Sequence, residues 1–164
     1  MQFSEALPLL TGKMPAYAHE IRDLPGGRSQ WAYVPWREIL EFIESVCPGE
    51  WQISFTDPLF IASDDKEYCC IRCTLTICGV ARQAPGSAPA VLLSNDGKDM
   101  SRGDPIERAA SDAVRSAAEM FGIGKYLHQQ RDLQWQRLLF DWIRKGKAKH
   151  AERARNGGSS QQSA

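Results

Sequence analysis

Apolar and polar positions divide the chain into a short series of elements. Residues 3–10 fit one short helix, after which Pro15 and then Pro25-Gly26-Gly27 interrupt the chain. Gln30 to Val34 reads as a short strand with Trp31 and Tyr33 on one face. After Pro35, the residues Trp36, Ile39, Leu40, Ile43 and Val46 recur at helical spacing until Cys47-Pro48-Gly49 stops them. Trp51, Ile53 and Phe55 alternate with polar residues, which predicts a strand continuing to Ile61. Beyond the polar turn Ser63–Lys66, a second strand is expected from Tyr68 to Val80. It sends Cys69, Ile71, Cys73, Leu75 and Ile77 to one side and Tyr68, Cys70, Arg72, Thr74 and Thr76 to the other. The two form an antiparallel hairpin with one buried face.

Residues 84–103 read as loop, with one short strand at Ala90 to Leu93. Asp104, Pro105 and Glu107 stand where an N-cap, a first-turn proline and a third-position acid belong. The helix they open buries Ile106, Ala109, Ala110, Ala113, Val114, Ala117 and Ala118, and so many alanines imply close approach to a sheet. Gly122 supplies its C′ residue. A long helix is expected from Asp132 to about Arg155, with Trp135, Leu138, Leu139, Trp142 and Ile143 as its apolar stripe. Residues 156–164 are Gly/Ser/Gln-rich and are expected to be disordered. The fold class is therefore α+β: a three- to four-stranded antiparallel sheet packed on an Ala-rich helix, with flanking helices. The expected division is a core over 1–130, a basic amphipathic helix over 131–155 and a tail over 156–164.

Composition narrows the function. The chain has 164 residues, 43% hydrophobic and 24% charged, which suits one globular domain. No stretch is long and apolar enough for a transmembrane helix, and Met1 to Met14 lacks the layout of a secretory signal. The five cysteines do not form a secreted disulfide framework, so a reducing, cytoplasmic setting is expected. Net charge is zero, with 20 basic and 20 acidic side chains, but it is unevenly spread. Residues 1–101 carry net −5 and residues 102–164 net +5, which hints at an anionic partner for the second part.

Candidate chemistry is sparse. Cys70 and Cys73 fall on opposite faces of a strand and have no second ligand pair, so they read as small buried hydrophobes and not as a zinc site. His19, His128 and His150 form no helical pair. There is no nucleophile elbow, phosphate-cradling glycine loop or calcium-loop spacing. No catalytic residue, metal or cofactor is expected. The Ala-rich helix is more informative. Arg108 and Arg115 stand two turns apart, with Lys98 and Arg102 before the helix and Lys125 after it, a row suited to a sugar–phosphate backbone. Asp112 and Glu119 interleave with these arginines and could pair with them instead.

The run from Ser111 to Leu127, ending Phe121-Gly122-Ile123-Gly124-Lys125-Tyr126-Leu127, resembles the signature of the Rad fifty-two family of single-strand annealing proteins, in its bacterial and phage form. Upstream, Ile21-Arg22-Asp23-Leu24-Pro25-Gly26-Gly27 and the strand Trp31-Ala32-Tyr33-Val34 resemble a second family segment, and the hairpin bearing Arg72 falls in the expected place. The resemblance covers roughly residues 15–130. It implies a β-β-β-α core assembled side by side into a homo-oligomeric ring, with single-stranded DNA in a cationic groove and annealing without ATP in repair or recombination. A recombinase or single-strand-binding protein is the further partner it suggests.

By the same resemblance, Arg22 matches a groove arginine and Arg115 the first basic position of the helix. Ser116 and Glu119 stand where the family has further basic residues. Arg28, Arg82, Lys98, Arg102 and Arg108 are the candidates to compensate. The alternative is an interaction module of the same fold that has lost strong DNA binding.

Overall fold

The computed structural model describes residues 1–24, 29–64, 66–93, 96–97 and 103–158. In chain order the elements are α1 (Phe3–Leu10), β1 (Glu20–Asp23), β2 (Gln30–Tyr33), α2 (Trp36–Val46), β3 (Trp51–Phe55), β4 (Leu59–Ser63), β5 (Lys66–Ile77), β6 (Val80–Pro89), α3 (Pro105–Glu119) and α4 (Leu133–Gly158). Short 3₁₀ helices occupy Ala16–Ala18 and Lys125–Arg131. The α+β class and the antiparallel sheet on an Ala-rich helix are as the sequence indicates.

The chain forms two compact units, each built from separated segments. One comprises residues 1–12 and 36–123, the other 13–35 and 124–164. In the first, β5 is the central strand. It pairs with β6 along one side and with β3 and β4 in succession along the other, all antiparallel. The single strand expected over 51–61 is thus two, interrupted at Thr56-Asp57-Pro58. There Arg72 bonds Thr56 twice: its carbonyl accepts from the Thr56 N–H at 3.0 Å and its N–H donates to the Thr56 hydroxyl at 3.1 Å.

The segment read as loop from residue 84 is largely strand. Cys78 and Gly79, both with positive φ, make the tight turn that launches β6. Pro85 and Pro89 hid it. Because Arg72 spends both backbone groups on Thr56, its pairing with Pro85 is of the non-hydrogen-bonded kind. The missing N–H of Pro85 therefore faces the open edge, where it costs no ladder bond. Pro89, four residues on, has the same parity. Ala90 to Leu93 forms no strand beyond an isolated bridge at Leu93.

Cys69, Ile71, Cys73, Leu75 and Ile77 are buried, as their alternation requires, under Ala109, Ala113, Val114, Ala117 and Ala118 of α3. Ile106 is exposed and Ala110 half-buried, at the margin of the stripe. Gly86 is the point of closest approach. A Cβ there would lie 2.2 Å from the Ala113 nitrogen and 2.3 Å from the Ala109 carbonyl oxygen. Asp104 caps α3 by accepting from the Ile106 N–H at 2.6 Å. At the other end, the N–H groups of Gly122 and Ile123 donate to the carbonyls of Glu119 and Ala118, a Schellman closure around Gly122 at φ +86°.

In the second unit, α4 follows an Asp132 cap and runs to Gly158, past the Asn156 start expected for the tail; residues 159–164 lie outside the described residues. Its buried stripe is Leu139, Phe140 and Ile143, with Trp135 and Trp142 partly buried against Ala32, Ile21 and Leu127. Leu138, expected in the stripe, is 66% exposed, because the packed face is rotated toward Phe140.

Candidate nucleic-acid interface

The β1–β2 ribbon brings four side chains to one face through the register Glu20 to Tyr33 and Arg22 to Trp31. The opposite face carries Ile21 and Ala32 into the cluster with α4. On the outward face the exposed Arg22 guanidinium lies 4.9 Å from the centre of the Tyr33 ring, and the Tyr33 hydroxyl donates to Glu20. Trp31 and Tyr33 are half-buried, so a cation and two aromatic rings share one small surface.

The ribbon is held flat by a side chain that the sequence pattern did not single out. Gln130 is buried, and its amide bonds Ala32 at both backbone groups. It accepts from the Ala32 N–H at 2.8 Å and donates to the Ala32 carbonyl at 2.8 Å. Gln136 likewise donates to the Gln30 carbonyl at 2.9 Å. Two glutamines thus do for β2 what a third strand would do. Nothing in the sequence marks it, since Gln130 stands within the wholly polar run His128-Gln129-Gln130-Arg131-Asp132.

Behind the ribbon, Tyr126 of that run has a structural task. Its hydroxyl bonds Nε2 of the fully buried His19 at 2.5 Å and accepts from the Met14 N–H at 3.3 Å. His19 Nδ1 sits 3.0 Å from the Pro15 carbonyl, so it carries the proton and Nε2 accepts from Tyr126. Burial holds His19 below its usual 6.5, against the raising effect of its backbone bonds, and Lys147 and Lys13 push it the same way. Burial also pushes Tyr126 up to about 12.

The remaining candidates are dispersed. Arg28, Lys98 and Arg102 lie outside the described residues. In the first unit, Arg72 is exposed on the sheet face turned away from α3, since its neighbours Ile71 and Cys73 point inward. Arg82 pairs with Leu75 and so lies on the α3 side, 5.7 Å from the Phe121 ring. Arg108 is turned inward and donates to the carbonyls of Pro89 at 2.7 Å and Ala90 at 3.3 Å, fastening the end of β6. Arg115 stands 3.8 Å from Asp112, whose other oxygen accepts from the Ser87 N–H. The row read along α3 therefore does not present one cationic face. In the second unit, Arg22 and Lys125 are both exposed.

Charge follows the units more sharply than it follows the halves of the sequence. The second unit has 12 Lys and Arg against 5 Asp and Glu, net +7; the first has 8 against 15, net −7. Linear charge counting blurs this because residues 13–35, net +1 from Lys13, Arg22 and Arg28 against Glu20 and Asp23, belong with the C-terminal segment, and residues 102–123, net −1, belong with the first unit. Among the described residues no group of three His, Cys, Asp or Glu could hold a metal ion, and no helix is long and apolar enough to cross a membrane. The cysteines are free thiols, and burial pushes Cys73 up to about 11.

Fold and surface together define an α+β protein with one anionic and one cationic unit. No protein-family profile matches the chain. It is similar to the single-stranded DNA-binding protein DdrA of Deinococcus radiodurans, 30% identical over 115 residues, or 70% of this chain and 47% of that protein. It is also similar to the protein of the same name in Deinococcus deserti, 27% identical over 135 residues, or 78% of this chain and 59% of that one. The chain thus spans about half the length of the curated relatives it matches, and is distantly related to proteins named for binding single-stranded DNA and not for catalysis.

Proposed function

We propose that the protein binds single-stranded DNA through its cationic unit and promotes annealing of complementary strands in repair or recombination, without ATP, metal or covalent chemistry. The net charge of +7 on the unit that bares Arg22, Trp31 and Tyr33 carries this reading. The named activity of the two relatives supports it. Cations neutralise the phosphates that hold two strands apart, and rings stack on bases without selecting among them, so binding is sequence-tolerant and weakened by salt.

The active form we propose is a homo-oligomeric ring. Among the described residues, both edges of the larger sheet are unpaired. The β6 edge carries Pro85 and Pro89, whereas β4 offers an unblocked edge with exposed Leu59, Phe60 and Ile61. A neighbour joins there, and a recombinase or single-strand-binding protein is the partner class that would hand over the strand. The resemblance to the Rad fifty-two family rests on the Ser111–Leu127 run and on the Ile21–Gly27 and Trp31–Val34 segments, and it implies Arg22 and Arg115 as groove residues.

The competing reading is an interaction module of the same fold that has lost strong DNA binding. The net charge of −7 on the first unit favours it, as do the inward Arg108 and the Arg115–Asp112 pair. An annealing assay with two labelled complementary strands decides between them. Faster annealing without nucleotide, reduced by Arg22→Ala, is expected. Annealing at the protein-free rate supports the module.

A further inference from the structure

A second aromatic and cationic surface lies in the cationic unit, apart from the β1–β2 face. Tyr17, in the 3₁₀ turn Ala16–Ala18, stacks on His150 of α4 with ring centres 4.1 Å apart and planes at 21°. Tyr17 is nevertheless 45% exposed, and His150 is exposed as well, so the pair presents ring surface to solvent. They border a shallow cleft of about 200 Å³, completed by Ala16, Gly146, Lys149 and Arg153. Among the described residues, no carboxylate lines it. Lys149 and Arg153 are one helical turn apart, on the same side of α4. Gly146 makes the close approach possible, since a Cβ there would lie 2.2 Å from the Ala16 Cβ. The turn is thereby seated on the helix where Tyr17 meets His150.

We propose that this cleft is a nucleotide subsite for single-stranded nucleic acid. A base stacks on the Tyr17–His150 pair and the adjoining phosphates lie against Lys149 and Arg153. Open ring surface suits a base, and two cations at one-turn spacing suit successive phosphates. An acidic peptide would use the cations but leave the stack idle. The inference rests on the proposed DNA binding and adds to it a contact beyond the resemblance to the annealing family.

The test uses the full chain and an oligo-dT carrying 4-thiothymidine. Irradiation followed by peptide mass spectrometry is expected to find adducts on Tyr17 or His150. Tyr17→Ala is expected to weaken binding about fivefold to a hundredfold, the range for loss of one base stack, while Tyr17→Phe binds as the wild type does. The double substitution of Lys149 and Arg153 by alanine is expected to lower the salt slope by about 1.4. If the wild type binds no oligonucleotide, the proposed function itself fails. If it binds, but neither residue is labelled and Tyr17→Ala binds normally, this subsite alone is overturned. Should Tyr17→Ala not fold, labelling of the wild type decides.

Discussion

Replacing Gln130 with leucine removes the clamp on β2 while nearly keeping the volume. Two hydrogen bonds of 2.8 Å disappear, and both stranded groups belong to Ala32, which is wholly buried. Each buried backbone group left unpaired costs about 1–3 kcal/mol. The added apolar burial of leucine offsets only part of this, so a net loss of about 2–5 kcal/mol is expected. At roughly 2–4 °C per kcal/mol for a chain of this size, the melting temperature falls by about 4–20 °C. Thermal unfolding followed by circular dichroism reads the loss, and hydrogen exchange localises it: the Ala32 amide loses protection first. Ala32 sits between Trp31 and Tyr33, so DNA affinity falls with it. A melting temperature within about 2 °C of wild type, with the Ala32 amide still protected, would refute the reasoning.

Gly86→Ala forces α3 off the sheet, because the atoms its Cβ meets are backbone atoms of Ala109 and Ala113. A loss of about 3 kcal/mol, at the upper end for overpacking, is expected from the urea midpoint. Phe121→Ala removes a buried ring set edge-on to Phe3 at 5.8 Å and is expected to cost about 3–5 kcal/mol by the same measurement. His19 gives a pH dependence of defined sign. Its folded value lies below 6.5, so the unfolded chain takes up a proton that the folded protein refuses. Stability is therefore full above about pH 6.5 and falls as the pH drops toward the lower folded value, by at most about 1.4 kcal/mol per pH unit. His19→Gln is expected to remove that slope, as seen in denaturant titrations over the same window.

The elements most legible in the sequence are those whose burial is periodic. β5 alternates cleanly because one face lies on α3, and α3 announces itself through Asp104, Pro105, its alanines and Gly122. β6 was illegible because prolines and a glycine are loop signals. They are tolerated here only because one strand side is an open edge and the other meets a helix at backbone distance. Ribbon strand β1 is four residues long with one half-buried side chain, too little pattern to detect. The candidate site was half legible. Arg22 entered only through the family resemblance, Trp31 and Tyr33 read only as one face of a strand, and the arginines of α3 could not be told apart by spacing alone. Whether an arginine faces water or, like Arg108, a strand's terminal carbonyls depends on a neighbour many residues away. The pairing of residues 13–35 with the C-terminal segment, which sets Arg22, Trp31 and Tyr33 in the cationic unit, is a tertiary fact with no local trace.

The central claim is tested most directly by equilibrium titration of the intact protein with labelled oligo-dT across a series of salt concentrations. Four phosphate contacts, from Arg22, Lys125, Lys149 and Arg153, predict a log–log slope near −3 at about 0.7 per contact on a single strand. Binding that is absent at low salt, or present but indifferent to salt, would contradict the account.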